Sequence, residues 1–564
     1  MRTIAQTSLV SLILLVGCIT AAAEAKDHPK NLNGIHHPTV LEWKQLDGNQ
    51  INCTVANDGP FADYRRTSDP GVEWPIGSGK TPIFAGGLWL NARHVPTGLL
   101  RTANMDYFSE YQPGPLLETF NASTNDDAGP VSRAGDERYR LYKISRDDTL
   151  SLDYVEWPGD LGAPYTDING NGNWDAGIDR PEFVGDQQIW SVVNDVNNAR
   201  HASLGATPPI GVEVHCLYYV FRQPLPLENT VFVKWTLINK SDADYDSVYV
   251  GLWSDVDMGD ANDDLPGSDS LLSLGYVYNG DNDDENGTRG YGAYPPAVGF
   301  DILQGPLVDG ETTDVARFRG RVIPGKRDLR ANSSIVFAKT FLEFLLDPTL
   351  GSPEYSRVAN NYHMGKTGKP GVILHRPDGS PYPTFWFSGD PVTGAGDLPE
   401  NFPLGWFNPQ DLRVMTSTGP FAFARGDTQE VAGAVVISQG SNRLESVTLL
   451  KNDVAWVRDF YLAGGVVGVS EGGDALPKSF GLFQNYPNPF NPTTTIEYAL
   501  PHAGYVTLRV YNVLGEEIAT LMYGEQTAGT YTATWDASDM PSGVYFYRLT
   551  AGEYVHTRKM VLMR

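Results

Sequence analysis

Oxygen-bearing side chains recur at alternate positions in one short stretch of the amino-acid sequence. The stretch reads Asp-Ile-Asn-Gly-Asn-Gly-Asn-Trp-Asp-Ala-Gly-Ile-Asp, and its carboxylates and amides belong to Asp167, Asn169, Asn171, Asn173, Asp175 and Asp179. Calcium binds about six to eight oxygen ligands, and alternate side chains curl around one ion when a glycine such as Gly172 permits a sharp turn. The spacing therefore predicts a calcium site, and an Asn- and Gly-rich turn that binds no ion is the alternative.

This loop resembles the EF-hand and thrombospondin-type calcium loops and departs from them at one ligand. The EF-hand has a bidentate Glu at the twelfth position, where this sequence has Ile178. We expect Asp179 or Glu182 to supply the missing carboxylate. No helices are predicted on either side of the loop.

A second acidic stretch, residues 255–269, follows directly after a predicted strand. Its candidate ligands are Asp255, Asp257, Asp263 and Asp264. Many like charges close together repel one another unless a cation neutralises them, so the stretch predicts a second cation site. Its spacing fits no defined metal loop, and a solvated acidic loop is the alternative. We interpret the nearby acidic run at residues 281–285 as a plain exposed loop.

Signatures of enzymes are few and incomplete in this sequence. Residues 77–81 read like the end of a phosphate-binding loop, but Trp74 stands where the first glycine is required. Residues 468–472 match the letters of a nucleophile elbow, but they lie in a Gly-rich linker with no helical pattern after them. We therefore assign no catalytic residue, although a carboxylate pair for glycoside cleavage would leave no signature in the sequence.

The composition indicates an acidic, folded protein. The 564 residues carry a formal net charge of −26, so the chain has no basic surface for nucleic acid. Hydrophobic residues make up 41% of the sequence, which is enough for packed cores. Of the three cysteines, Cys53 and Cys216 either form a disulfide, which an exported compartment permits, or remain two isolated buried thiols.

The hydrophobic pattern predicts a mainly β body over residues 26–462. Apolar or alternating runs bounded by Gly and Pro are typical of strands, and they fall at residues 50–55, 81–89, 139–144, 210–221, 230–238, 247–253, 271–278, 334–341 and 431–437. One helix is predicted over residues 444–461, with Ser441 as its cap. We predict a large, sandwich-like ectodomain with acidic Asp- and Asn-rich loops, built as one body or as two subdomains and followed by a linker at residues 463–478.

The last segment, residues 479–564, has a different pattern. Three prolines between residues 487 and 492 exclude a helix or a central strand there, so we expect a stiff extended segment. Beyond them apolar side chains alternate, as in Val506, Leu508 and Val510, and glycines separate the runs. About six or seven short strands with no helical spacing predict a small C-terminal β-sandwich.

Six spaced motifs agree in order along this last segment, at residues 484–492, 510–515, 528–531, 535–537, 542–548 and 557–560. They resemble the type A C-terminal sorting domain of the bacterial type IX secretion system, which is similar to the Ig-like domain of the flagellar hook-capping protein. The resemblance implies an Ig-like fold for residues 479–564. It also implies two partners, the type IX translocon and the surface-processing machinery, and a secreted or outer-membrane surface location in a Gram-negative bacterium.

The first 25 residues are interpreted as a signal peptide. Arg2 supplies a positive start, residues 9–19 are apolar but too short to span a membrane, and Ala23 and Ala25 suit a signal peptidase. Residues 15–18 also resemble a lipobox, in which Cys18 would be lipidated. We keep the lipoprotein as the alternative.

Three classes of function agree with these observations. The body, through runs such as residues 251–257 and 275–279, resembles β-rich ectodomains that end in the same sorting domain and have no known activity. We expect a structural or adhesive surface protein that calcium stabilises. The alternatives are a secreted hydrolase that acts on polysaccharide, with its acidic residues within 255–269, and a glycan-binding module.

Overall fold

The computed structural model describes residues 41–64, 69–127, 137–285, 287–318, 321–338, 345–405, 407–464, 480–483, 485, 488–501, 504–527, 529–552 and 554–563. The predicted signal peptide, Cys18 and nearly all of the predicted linker, including the elbow-like residues 468–472, lie outside these ranges. The described residues are mainly β, as the sequence predicted.

The strands of the body are numbered in chain order. They are β1 (Trp43–Leu46), β2 (Asn52–Ala56), β3 (Asp63–Tyr64), β4 (Asp69–Pro70), β5 (Val72–Glu73), β6 (Ala85–His94), β7 (Leu100–Asn104), β8 (Gln112–Pro113), β9 (Tyr142–Ser145), β10 (Tyr165–Thr166), β11 (Arg180–Pro181), β12 (Gln187–Asn194), β13 (Val212–Val220), β14 (Thr230–Asn239), β15 (Tyr245–Val256), β16 (Asp264–Asp269), β17 (Leu274–Asn279), β18 (Ala297–Gln304), β19 (Leu307–Asp309), β20 (Val315–Phe318), β21 (Arg321–Pro324), β22 (Lys326–Asp328), β23 (Ala331–Ala338), β24 (Leu412–Phe423) and β25 (Thr428–Ser438).

Helices are few among the described residues. The α-helices are α1 (Leu152–Val155), α2 (Asn198–Ser203), α3 (Tyr355–His363) and α4 (Arg443–Leu462), and short 3-10 turns lie at Gly159–Leu161, Leu227–Asn229 and Pro399–Asn401. Each of the nine predicted strands and the predicted helix is present with shifted ends, but α3 was not predicted from the sequence. The predicted cap was wrong by one residue, because Asn442, and not Ser441, accepts the amides of Leu444 and Glu445.

Two antiparallel sheets form the centre of the body. The larger has the order β16-β17-β18-β25-β14-β13-β12-β8, with β9 also paired to β12, and the smaller has the order β23-β24-β15-β6-β7. Side chains from both sheets share one hydrophobic core, for example Leu252 of β15 and Val233 of β14. The body is therefore a β-sandwich, with its main core between the two sheets.

The larger sheet is buried on both faces, and alternation along its strands assigns each residue to one face. On β13, Val214, Cys216 and Tyr218 enter the core between the sheets, whereas Leu217 and Tyr219 enter a second core on the other face. Such two-sided burial explains why the central strands are nearly continuous apolar runs in the sequence.

Helix α4 covers part of the second face of the larger sheet. It buries Val447, Leu450, Val454 and Trp456 against that sheet, beside Tyr276 and Val436 among others. Arg458 fixes the end of the helix, since its guanidinium donates to the backbone oxygens of Leu272 and Ile302 and to the carboxylate of Asp301.

Helix α3 covers the outer face of the smaller sheet through aromatic contacts. Tyr362 stacks on Phe337 of β23, with ring centroids 4.7 Å apart, and Tyr355 lies 5.9 Å from Trp89 of β6. Both sheets are thus covered on their outer faces, and polar side chains in those layers are buried.

The two remaining cysteines are not joined. Cys53 on β2 and Cys216 on β13 are both buried free thiols. Burial raises the pKa of each thiol to about 12, so neither forms a reactive thiolate at neutral pH. The structure therefore favours the second alternative from the sequence, two isolated thiols.

The C-terminal segment forms two small sheets. Its strands are β26 (Gly481–Leu482), β27 (Thr493–Leu500), β28 (Gly504–Tyr511), β29 (Glu517–Gln526), β30 (Gly529–Asp536), β31 (Gly543–Ala551) and β32 (Tyr554–Leu562). The sheets have the orders β26-β27-β30 and β29-β28-β31-β32, and Val506, Leu508 and Val510 lie between them as predicted. Tyr547 ties the start of the segment to this core, because its hydroxyl donates to Phe483 O at 2.7 Å and accepts from Asn485 N at 2.8 Å.

None of the helices within the described residues combines the length and apolarity required to cross a bilayer.

The contact between Arg458 and Asp301 yields a test of how α4 is held. Burial raises the pKa of Asp301 to about 7, and Arg458 opposes that rise. Replacing Arg458 by Met leaves a buried carboxylate without its cation, which we expect to lower the free energy of unfolding by about 3–5 kcal/mol at pH 8. When an acid has a higher pKa in the folded state than in the unfolded state, the protein becomes less stable as the pH rises through the folded-state pKa. The destabilisation caused by Arg458→Met should therefore be smaller at about pH 5 than at pH 8.

Urea denaturation of Arg458→Met at both pH values measures this effect. The matched control is the double variant Arg458→Met/Asp301→Asn. It removes both charges of this contact, so it should recover most of the stability. A loss that is independent of pH and persists in the double variant would show that packing, and not charge, holds the helix.

Candidate cation centres

The predicted calcium loop lies between two paired strands. β10 and β11 are antiparallel, with Thr166 opposite Arg180, so their pairing brings the ends of the loop together. Gly170 and Gly172 both have positive φ, +71° and +79°, which only glycine adopts at little cost. Gly172 therefore permits the sharp turn that the sequence predicted.

Asp167 and Asp179 hold the backbone of this loop. The carboxylate of Asp167 accepts Gly170 N and Gly172 N, each at 2.7 Å. Asp179 is buried, and its two oxygens accept Ile168 N at 2.9 Å and Asp175 N at 2.7 Å. Asp179 is thus engaged with backbone donors at the base of the loop.

Asp175 accepts hydrogen bonds from two of the other candidate ligands. Its Oδ2 accepts the side-chain amides of Asn169 at 2.8 Å and Asn171 at 2.5 Å, and these two contacts lower its pKa. Asn173 is exposed, and its backbone amide donates to Asn171 Oδ1 at 2.7 Å. The structure therefore brings Asn169, Asn171 and Asp175 into direct contact and leaves Asn173 at the rim.

The second predicted stretch divides into two groups of side chains. The carboxylates of Asp255 and Asp257 lie with that of Asp411, each offering an oxygen within 4.8 Å of the others. Asp263 and Asp264 lie at the start of β16 and belong to a different group. The four predicted ligands therefore fall into two groups, because β15 ends at Val256 and the chain turns before β16 begins.

The group at Asp255 has an arginine at its centre. Arg413 stands directly opposite Asp255 in the pairing of β24 with β15, and opposite charges in such a cross-strand pair attract. Its guanidinium lies 3.5 Å from Asp255, 3.3 Å from Asp347 and in contact with Asp411. Tyr107 completes the arrangement, donating to Asp255 at 2.8 Å and accepting from Arg413 at 2.9 Å.

The centre of this arginine-centred group is buried. Asp255 is 0% exposed and Arg413 is 3% exposed. Nearby Asp106 is also buried, which raises its pKa to about 8, although it accepts a hydrogen bond from Tyr107 N. Asp347 and Asp411 are partly exposed, with side chains 33% and 18% accessible, whereas a substrate cannot touch Asp255 in this conformation. Arg413 supplies a positive charge to all three carboxylates.

The group at Asp264 contains no arginine or lysine in contact with its two aspartates. Asp264 is 0% exposed, and burial together with Asp263 raises its pKa well above the usual range. Asp263 is half-buried, and burial together with Asp284 raises its pKa to about 7. Among the described residues, neither Asp263 nor Asp264 forms an ion pair.

The interpretation of residues 281–285 as a plain exposed loop was wrong for one residue, Asp284, which is buried. Its carboxylate is 2% exposed and accepts the backbone amides of Asp260 and Tyr291, each at 2.8 Å. Asp281, Asp283 and Glu285 are exposed as expected. A run of five polar residues does not reveal in the sequence which one the neighbouring loop will enclose.

Sequence reasoning missed Asp411, Arg413, Asn279 and Asp284 as members of these groups. Asp411 and Arg413 are a common pair of charges at the start of a strand, and only the register of β24 on β15 brings them to Asp255. Asn279 is placed by the register of β17 on β16, where it stands opposite Asp264. No local signal in the sequence could have found these pairings.

The C-terminal strands correspond to a known family. Residues 484–563 match the family described as the secretion system C-terminal sorting domain. The chain carries a sorting tail of the type IX secretion system. It is accordingly a secreted or cell-surface protein that engages the secretion machinery, which confirms the interpretation of the segment from its motifs.

Comparison with known proteins says little about the body. No curated protein matches the chain. Among solved structures, a polysaccharide lyase shares 8% identity with a TM-score of 0.15, over 62% of this chain and 34% of its own. The chain thus spans about a third of that structure's length, and a likeness at this score carries no inference about the body.

Proposed function

We propose that the body is a structural or adhesive protein of the bacterial surface, delivered by the type IX system and stabilised by calcium. A Gram-negative host follows from the outer membrane that this export route crosses. In this proposal residues 1–25 are the signal peptide and residues 479–564 are the Ig-like domain that the translocon and surface-processing machinery bind. Cys18 lipidation remains the alternative way of anchoring the chain.

The non-catalytic role is supported by the burial of several of the carboxylates. The hydrolase alternative requires acidic side chains within residues 255–269 to touch a glycan. Asp255 and Asp264 are 0% exposed and Asp257 is 8% exposed, which leaves only the partly exposed Asp260, Asp263 and Asp269 of that stretch within reach of one. General acid and base residues must lie within hydrogen-bond reach of the substrate. The burial of Asp255, Asp257 and Asp264 supports a stabilising role.

The loop between β10 and β11 supports calcium as the stabilising ion. An amide side chain presents either its nitrogen or its oxygen to the same point when it rotates by half a turn. Rotation of Asn169 and Asn171 would therefore turn the two amides that now donate to Asp175 into two oxygen ligands beside that carboxylate. Calcium favours such a set of carboxylate and amide oxygens.

The role of the tail can be tested by export of a reporter. A fluorescent protein that carries residues 1–25 and residues 479–564 should reach the surface or the medium of a host that has the type IX system. The same reporter with residues 1–25 alone should stay in the periplasm, and cell fractionation measures both. Periplasmic retention of the first reporter would contradict the sorting role.

The calcium loop can be tested by calorimetric titration of the exported chain. Asp167→Ala removes a carboxylate that organises two turns of the loop, so we expect at least a ten-fold loss of calcium affinity for one equivalent. Asp148→Asn, which changes an exposed acid outside the loop, is the matched control and should bind as the wild type does. Identical titrations for all three proteins would exclude a site in this loop.

The non-catalytic role can be tested on polysaccharides. The purified chain, incubated with a panel of soluble and insoluble glycans, should release no new reducing or unsaturated ends. Retention of the protein on one polymer without turnover would select the adhesive or glycan-binding role. Product release that Asp255→Asn or Asp264→Asn abolishes, while each variant stays folded by circular dichroism, would instead select the hydrolase.

A further inference from the structure

We propose that Asp263, Asp264 and Asn279 hold a divalent cation of the hard, oxygen-seeking class, with calcium as the ion of choice. This site lies where β16 pairs with β17 and is separate from the loop between β10 and β11. The proposal rests on the calcium-stabilised role above only for the identity of the ion.

The pairing of two strands places the ligands together. Asp264 and Asn279 are direct partners in the antiparallel pair of β16 and β17, so their side chains lie on the same face. Both residues are 0% exposed. Asp263 joins them, since its carboxylate lies close enough to the side chain of Asn279 for that side chain to lower its pKa, and its backbone oxygen accepts Gly280 N at 2.5 Å.

Three oxygen atoms of this group are buried without a hydrogen bond. They are Oδ1 of Asp263, Oδ1 of Asp264 and Oδ1 of Asn279. A buried polar atom without a partner costs about 1–3 kcal/mol, and more when it is charged, so three on neighbouring side chains call for a common partner. All three are acceptors, and a cation is the partner that satisfies several acceptors at once.

The nearest carboxylates add negative charge to this group, and one guanidinium, that of Arg443, donates to the backbone oxygen of Asn279 at 3.1 Å. Asp257 and Asp284 both lie close enough to raise the pKa of Asp264, and Asp284 is held in place by the backbone amides of Asp260 and Tyr291. The contrast with other buried acids of the body is clear: Asp58 has Arg200 at 3.0 Å and Glu213 has Lys240 at 2.9 Å. Asp263 and Asp264 have no such side chain among the described residues.

A proton is the competing explanation, and it satisfies fewer atoms. A proton on one carboxylate would make one donor, which can pair with one acceptor. The third oxygen would stay unpaired. A cation bound by Asp263, Asp264 and Asn279 would use all three oxygens, and water or the neighbouring carboxylates could complete its coordination.

The donor set selects the class of ion. Every candidate ligand is a carboxylate or an amide oxygen, which suits calcium and similar hard cations, whereas zinc and copper favour imidazole or thiolate ligands. Bound there, the ion would join the loop after β15 to the edge strand β16 of the larger sheet. Its binding would stabilise the fold and protect that edge.

The test uses calcium alone, the full chain and the Asp167→Ala variant as background. In that background we expect one calcium equivalent to remain, and adding Asp264→Asn should weaken its binding at least ten-fold. If calcium binds only at the loop, Asp167→Ala alone abolishes all binding and the site proposed here is wrong. If the loop binds none, Asp264→Asn alone abolishes all binding, which supports this site and contradicts the loop.

Two further variants keep the result decisive. Asn279→Asp adds a carboxylate ligand, so it should tighten calcium binding and, with chelator present, lower the midpoint of thermal unfolding relative to the wild type. Asp255→Asn belongs to the arginine-centred group and should destabilise the chain equally with calcium and with chelator. An Asp264→Asn protein that is more stable than the wild type in both conditions would show that a shared proton, and not a cation, holds the pair.

Discussion

A carboxylate buried in a protein interior is tolerated only when a positive group or several hydrogen bonds compensate its charge. That constraint governs the body of this chain, because a sequence with a net charge of −26 places many of its acids inside a sandwich. Asp301 has Arg458, Asp58 has Arg200, and Asp255 has Arg413. Each contact joins segments that are far apart in the sequence, so compensation of charge also fixes the assembly of the layers.

The same constraint acts through histidine in one place. His201 lies between Glu110 at 2.9 Å and Asp195 at 3.4 Å, and all three side chains are nearly inaccessible. Burial opposes a charge on the imidazole, but the two carboxylates outweigh it and raise the pKa of His201 to about 10. The group therefore keeps its proton at neutral pH and joins α2 to Glu110, which accepts Asn104 N of β7, and to Asp195, which follows β12. Asp263 and Asp264 form no such pair among the described residues, and in the site proposed above an added ion takes the place of the protein cation.

Much of the fold could be predicted from the sequence, because alternation and helical spacing are local signals. The runs that became β13, β14 and β25 are apolar on both faces, and the spacing of Val447, Leu450 and Val454 identified α4. Helix α3 was missed because its sequence contains Ser, two Asn and two Tyr, which are weak helix formers. Its stability comes from rings on distant strands, such as Phe337 and Trp89.

The candidate sites differ in the same way: one lies within a short segment of the sequence, and the others depend on the pairing of distant strands. The turns of the loop at residues 167–179 could be predicted, since they and the candidate ligands lie within one hairpin. The partners of Asp255 and Asp264 could not, since they depend on the register of β24 on β15 and of β17 on β16. The family match of residues 484–563 establishes how the chain is sorted. The function of the body must be argued from its own residues.

The most direct measurement is a crystal structure of the exported chain grown with calcium, with data collected at a long wavelength for anomalous scattering. A cation held by Asp263, Asp264 and Asn279 would give an anomalous peak about 2.3–2.6 Å from Oδ1 of Asp264 and from Oδ1 of Asn279, the range of calcium–oxygen bonds. A map with no peak there, and with Asp263 and Asp264 joined by a short oxygen–oxygen hydrogen bond, would contradict the proposed site.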